Sequence, residues 1–413
     1  MFRTILIVQL TISLSQVALC QQGWYQLTSG TSYNLRSLCF TDINTGYAVG
    51  FNGTILKTTD GGLNWILQTV GTNQNLYSVH FIGQTGYVVG GTNISVIFRT
   101  TNGGTNWESQ SDTGTFGLNS VFMADSMTAH AVGNKGKIIR TTNGGINWNV
   151  QTISFTYFNL NSIFFTDDNT GYIGGKSYIH TGGIFLKSSN GGISWSSPGE
   201  SAEFKSVYFI NSATGYGAYS GTVVKTTNSG ASWTFQYLGS GNRMSSIWFT
   251  NLMTGYVAGY TSNNSRIFKT TNSGLNWNLQ STPAADSLYS VTFIDANTGY
   301  AAGNSGTILK TINGGVGILT LSNEIPTEYK LYQNYPNPFN PETNFKFQIS
   351  NFSNVKVAIY DLRGIEIKVL VNEHLIPGTY EIKFDGSNYS SGIYYYSLNT
   401  EYYTDTRKMV LTK

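Results

Sequence analysis

Apolar and polar residues alternate along most of the chain in short runs, and the runs recur as a set. The first is apolar-x-Ser-apolar-x-apolar, at 35–40, 76–81, 118–123, 160–165, 204–209, 244–249 and 288–293. A second run follows a Thr-Gly-Tyr turn, as in Gly46-Tyr47-Ala48-Val49. A third resembles Thr54-Ile55-Leu56-Lys57-Thr58, and a fourth opens on a Trp. Period-two alternation over such lengths predicts strands, four to each unit of about 42 residues.

Between the third and fourth strands lies a box, Thr-Thr-Asp-Gly-Gly-Leu-Asn-Trp at 58–65. It recurs at 100–107, 141–148, 188–195, 226–233 and 270–277. A seventh copy begins at Thr311 but has Ile318 where the Trp is due. The missing strand has a counterpart at the other end of the chain, where Trp24-Tyr25-Gln26-Leu27-Thr28 matches 65–69 in character. Four-stranded sheets repeated radially make a β-propeller. The expectation is therefore an all-β chain whose residues 21–318 form a seven-bladed β-propeller. It is closed by an N-terminal strand at 24–29 that leaves no free sheet edge in the last blade.

Composition sharpens this picture. The 413 residues carry 24 Lys+Arg and 21 Asp+Glu against 47 Gly and 58 aromatics, counting 8 Trp, 27 Tyr and 23 Phe. That is strand-and-turn vocabulary, with few charges for a soluble domain. A net charge of +3 is too small to imply nucleic acid. Two Cys exclude a disulfide scaffold, and four scattered His exclude the common zinc spacings, so neither metal nor cofactor is expected. Residues 1–20 hold Arg3, an apolar stretch and Ala18-Leu19-Cys20, the pattern of a secretory signal peptide and not of a transmembrane segment.

After Ile318 the period stops. Residues 319–329 read as a linker, and 330–413 as a small antiparallel β-sandwich with strands near 344–349, 355–360, 366–370, 379–384, 392–399 and 408–411. The segment Tyr332 to Pro341 is punctuated by Pro and unfit for a central strand.

The boxes resemble the Asp-box family. The wider pattern of Gly-Tyr-Ala-Val-Gly followed by Gly-Thr-Ile-Leu-Lys-Thr-Thr-Asp-Gly-Gly is closer to the photosystem II assembly-factor propellers than to the sialidases. This resemblance covers 24–316. The C-terminal region, with Asn-Tyr-Pro-Asn-Pro-Phe-Asn-Pro, Val-Ala-Ile-Tyr-Asp-Leu-Arg-Gly and the final Lys-Met-Val-Leu-Thr-Lys, resembles a type A C-terminal sorting domain of the type IX secretion system. That likeness implies passage through the outer membrane of a Bacteroidota-type bacterium, with the secretion machinery as partner of 330–413. Export by this route leaves no place for a photosynthetic role.

Candidate chemistry is sparse. Asp60 is the only Asp of the seven boxes, and Asn102, Asn143, Asn190, Asn228, Asn272 and Asn313 fill the other positions. An amide holds a tight turn as well as a carboxylate does, so the box is read as structural. Seven equivalent Ser in the first strands, without a paired His, read as a packing device and not as nucleophiles. A basic residue late in each third strand, Lys57 to Lys310, reads as a solvated head on an apolar stem. Arg36, Arg243 and Arg266 lie in different blades and form no arginine cluster in the sequence. Glycoside hydrolysis needs two facing carboxyl groups, and most Asp here belong to turns. The chain is thus expected to be non-catalytic and to bind a protein or glycan outside the cell; an Asp-box glycoside hydrolase and an adhesin are the alternatives. Binding is assigned to the connections that vary between blades, at 109–117, 151–159, 174–183, 236–243 and 260–265. These display Phe116, Phe155, Tyr157, Phe158, Tyr178, Tyr237 and Tyr260, of which Phe116, Tyr157, Phe158, Tyr178 and Tyr237 are the candidate ligand contacts.

Overall fold

The alternating runs become antiparallel strands throughout the computed structural model. It describes residues 23–112, 115–151, 156–199, 202–262, 264–283, 286–315, 318–322, 325–351, 353–375, 377–387 and 389–413. The predicted signal peptide and Phe155 lie outside the described residues. The chain divides into two units, Gln26–Gly315 and one that contains Val316–Lys413.

The first unit is a succession of similar sheets. The first sheet runs Leu35–Phe40, Gly46–Gly50, Ile55–Thr58, Ile66–Gln68, each strand beside the next. Equivalent sheets begin at Leu76–Ile82, Leu118–Met123, Phe158–Phe165, Ser206–Phe209, Asn242–Phe249 and Leu288–Phe293. Second strands such as Gly46–Gly50 are wholly buried, whereas outermost strands such as Ile66–Gln68 are mostly exposed. The fourth sheet has three strands instead of the expected four. Its outer strand shrinks to one bridge between Lys187 and Ser196, because Pro198 follows with no amide to donate. In the seventh sheet Tyr25–Leu27 lies beside Ile308–Thr311, at the position left open by the missing Trp strand.

Hydrogen bonds join neighbouring sheets at one repeated position. The Ser of each first strand accepts the amide of a residue in the following first strand: Val79 to Ser37, Val121 to Ser78, Ile163 to Ser120, Val207 to Ser162, Ile247 to Ser206 and Val291 to Ser246, at 3.1–3.3 Å. Leu38 in the first sheet likewise donates to Ser290 in the seventh, at 3.2 Å. These serines are therefore packing devices with a specific task, the satisfaction of an amide that faces the neighbouring sheet.

The second unit holds two antiparallel four-stranded sheets. One orders Ile318–Ser322, Gly378–Asp385, Glu342–Ile349, Lys330–Leu331, and the other Glu366–Leu375, Ser353–Tyr360, Gly392–Asn399, Thr404–Leu411. Alternate residues of both, among them Phe345, Phe347, Val357, Tyr396 and Leu411, build one buried core. The start of the expected 319–329 linker is corrected here: Ile318–Ser322 is a strand that pairs with Gly378–Asp385. With Tyr25–Leu27 beside Ile308–Thr311 in the seventh sheet, no place remains for it there. The Pro-rich segment is pinned without a strand of its own. Buried Asn334 donates its amide to the Tyr396 hydroxyl at 2.7 Å and its side chain to Thr343, and Phe339 is buried.

Candidate ligand-binding face

Antiparallel order places the first-to-second and third-to-fourth turns at one end of the repeated unit. The second-to-third hairpins and the connections to the next sheet lie at the other.

The first end is committed to holding the fold. In each box the Asp or Asn side chain accepts the amide four residues on: Asn64 to Asp60, Asn106 to Asn102, Asn147 to Asn143, Ser194 to Asn190, Ser232 to Asn228 and Asn276 to Asn272, at 2.9–3.0 Å. In the seventh box Thr311 donates to Asn313 at 3.0 Å. The other turn is held by an acid or amide as well. Asp42 accepts the amides of Asn44 and Thr45 at 2.8 and 2.9 Å. Partial burial opposes ionisation of Asp42, but these bonds and those from the side chains of Thr45 and Thr41 outweigh it, so its pKa lies below the ordinary carboxylate value.

The third-strand cations differ from the expected solvated heads. Lys57 donates to the carbonyl of Gly103 at 2.6 Å, Lys225 to that of Ser273 and Lys310 to that of Gly61, both at 2.8 Å. Tyr47, Tyr216 and Tyr300 donate to the same three carbonyls. Each pair clamps the box of the neighbouring sheet, Tyr300 and Lys310 joining the seventh sheet to the first. Such a pairing lies beyond what alternation within one strand reveals.

At the opposite end the structure distributes the candidate aromatics unequally. Tyr157 and Phe158 lie with ring centroids 4.8 Å apart, and His180 stands 5.5 Å from Tyr157. Tyr178 joins this group by donating its amide to the carbonyl of Tyr157. Phe116 is half-buried under the Lys135 ammonium, 4.4 Å from the ring centre. Its loop is tied down by Lys137, which pairs with buried Asp112 at 2.7 Å and also donates to the carbonyls of Thr115 and Phe116. Tyr178 and Tyr237 are exposed, at 48% and 66%.

A different set of residues lines the concavity at this end. A cavity of about 310 Å³ is bounded by Lys176, Glu203, Lys205, Tyr219, Ser220, Arg243, Ser245 and Tyr260. None of the five candidate contacts belongs to it; Tyr260 does. The signal that could have found it sits inside the first-strand motif, at the x of apolar-x-Ser. This position is occupied in turn by Arg36, Tyr77, Asn119, Asn161, Lys205, Ser245 and Tyr289. Pairing skips it in six sheets, so that it forms a β-bulge between, for example, Leu35 and Ser37. A bulge re-aims the side chain that it carries. A Gly in six of the seven second strands makes room, since a Cβ on Gly90 would meet the Asn75 carbonyl at 2.1 Å; the fifth ends on Tyr219 instead. First strands pack beside first strands, the seventh beside the first, so residues far apart in sequence converge here. Arg36 lies over the Tyr289 ring at 3.9 Å. Tyr289 in turn contacts Tyr260 edge-on, with centroids 6.0 Å apart. Lys205 and Arg243, from neighbouring sheets, line one cavity, and Arg36 approaches it through Tyr289 and Tyr260. The protein walls around Lys205 lower its pKa, and the positive charges of Arg36 and Lys176 lower it further.

These features define an all-β, propeller-like unit with conserved geometry at one end and variable chemistry at the other, joined to a β-sandwich. Residues 16–153 match the family model of the Photosynthesis system II assembly factor YCF48, and residues 333–412 match that of the Secretion system C-terminal sorting domain. The chain is thus similar to YCF48 over residues 16–153 and to the sorting domain over 333–412, and a sorting domain of this kind implies export to the cell surface or beyond. Among solved structures it is similar to "YCF48 bound to D1 peptide", with a TM-score of 0.60, 18% identity and coverage of 70% of this chain and 95% of that one. YCF48 from Cyanidioschyzon merolae gives 0.56, 22%, 70% and 98%. PorZ, a bacterial surface component of the type-IX secretion system of Porphyromonas gingivalis, gives 0.57, 11%, 90% and 58%. At these identities the likeness is one of fold. Curated proteins give no match by sequence. Among the described residues no helix is long and apolar enough to cross a membrane.

Proposed function

We propose that the seven sheets are the blades of a closed ring, with Tyr25–Leu27 as the last blade's outer strand, and that this ring is an exported, non-catalytic binding module. One observation carries the reading: a framework repeated in detail changes its chemistry only at one end. The Ser290 and Tyr300 bonds from the seventh sheet to the first support closure. The absence of catalysis is supported by the use of the carboxylates. Asp42, Asp125, Asp167 and Asp295 hold turn amides, and Glu203, the one carboxylate bounding the cavity, is paired with Lys176 at 2.9 Å. A similar fold described in complex with a peptide supports binding as the activity.

The partner is a protein or glycan outside the cell, reached through the periplasm and the type IX machinery. The test uses the purified chain on a glycan array, in pull-downs from envelope extracts and against fluorogenic glycosides. Tyr178→Ala with Tyr237→Ala should abolish a signal that Leu63→Ala with Ile146→Ala, at the box end, leaves intact. Hydrolysis that persists through purification refutes the non-catalytic reading. Deletion of 333–412 should retain the chain in the periplasm, and unchanged surface exposure refutes the address.

A further inference from the structure

We propose that the cavity among the fourth, fifth and sixth sheets is an anion site for a carboxylate-bearing sugar, with Lys205 and Arg243 as the charged contacts and Arg36 as a third cation beside them. The inference rests on the binding reading above and names a ligand class and a place for it.

The argument starts from charge. Many propeller charges elsewhere serve the fold: Asp42 and Asp60 hold turn amides, and Lys57, Lys225 and Lys310 clamp carbonyls of the next sheet. Here the pattern reverses. Glu203 is neutralised by Lys176, and no ion pair among the described residues involves Arg36, Lys205 or Arg243. Gathering like charges raises the free energy of the unliganded protein, and an anion relieves it. Lys205 is exposed and bounds the cavity, and the surrounding protein lowers its pKa.

The remaining wall chemistry selects among anions. Tyr219, Tyr260, Ser220 and Ser245 bound the same cavity and bring aromatic rings and hydroxyl groups to its wall. A flat ring beside hydroxyl groups and a cation matches a sugar that carries a carboxylate: the ring stacks, the hydroxyls exchange hydrogen bonds, and the acid meets Lys205 and Arg243. At about 310 Å³ the space stands at the small end of ligand pockets, roughly 300–1,000 Å³. Phe204 and Met244 also bound it, both almost wholly buried.

The position of Arg36 and Lys205 lies between a buried apolar residue and the bonding Ser, and its side chain is neither of these two framework contacts. At Arg36 a β-bulge re-aims the side chain, whereas the fifth sheet, which carries Lys205, pairs without a register shift. Asn119 and Asn161, at the same position, donate to the carbonyls of Leu160 and Phe204 and remain structural.

The experiment titrates the full chain with trigalacturonate by calorimetry, alongside its methyl ester, which has the same rings without charge. A peptide with a free C-terminal carboxylate and its amide form a second pair of probes. The acid trimer should bind and the ester should not. Lys205→Gln and Arg243→Gln should each weaken binding roughly 10- to 100-fold while the unfolding midpoint stays in place. Equal binding of acid and ester, or unchanged affinity in both variants, overturns the site. Binding of the free-carboxylate peptide alone overturns the sugar assignment. If no probe binds while the chain still captures its partner through Tyr178 and Tyr237, the inference falls and the binding reading stands.

Discussion

Ring closure can be tested at one oxygen atom. Ser78 and Ser290 are a matched pair, 9% and 8% exposed, each accepting a buried amide of the next sheet, from Val121 at 3.1 Å and Leu38 at 3.2 Å. They differ in what they join. Ser78 links the second sheet to the third across 43 residues of sequence, whereas Ser290 links the seventh to the first across 252. Replacement by Ala leaves the donor buried without its acceptor, which costs about 1–3 kcal/mol. For a domain of this size each kcal/mol lowers the melting temperature by about 2–4 °C, so a fall of about 2–12 °C is expected. In a closed ring Ser290→Ala and Ser78→Ala should produce the same fall, measured by calorimetry and by the urea midpoint. In an open array Ser290 Oγ faces solvent, and its loss should be silent. A Ser290→Ala protein that melts with the wild type, beside a destabilised Ser78→Ala, refutes closure.

Further outcomes follow from the same framework. Lys137→Met strands the buried Asp112 carboxylate and should cost about 3–5 kcal/mol in a denaturant titration, loosening the 109–117 loop with it. Gly90→Ala drives a Cβ against the Asn75 carbonyl and should destabilise by about 1–3 kcal/mol, whereas Gly392→Ala, with its nearest neighbour 3.9 Å away and no left-handed backbone, should cost less. Asp42, Asp125 and Asp167 all have lowered pKa values; burial opposes ionisation in each, and hydrogen bonds from turn amides and side chains outweigh it. Their contribution is complete above the unfolded value of about 3.9 and is lost as pH falls through the lower folded values. The urea midpoint should therefore drop between pH 5 and pH 2, and the triple Asn variant should flatten that drop.

What the sequence disclosed was whatever a short window encodes. Alternation, the Gly-Gly turn and the box side chain each act within about ten residues, and strands and turns could be placed from them. The partners of Lys57, Ser37 and Tyr47 lie in the next sheet, 46, 42 and 56 residues away. Their roles were invisible to a reading confined to one strand, and Lys57 looked like a solvated cation for that reason. Ile318–Ser322 shows the same limit in another form. Residues 319–329 read as a linker because the repeat stops there, and the strand forms only against an edge that the distant Gly378–Asp385 supplies. The cavity was hidden more deeply, because repetition itself drew attention to what stays constant. The invariant Ser and its apolar neighbour hold the sheets together, and the unremarkable x between them collects Arg36 and Lys205, 169 positions apart, where the first strands converge. In a repeat protein the framework is written in what recurs. Specificity is then to be sought at the positions where recurrence fails inside an otherwise constant motif, before the longer loops that vary because little constrains them.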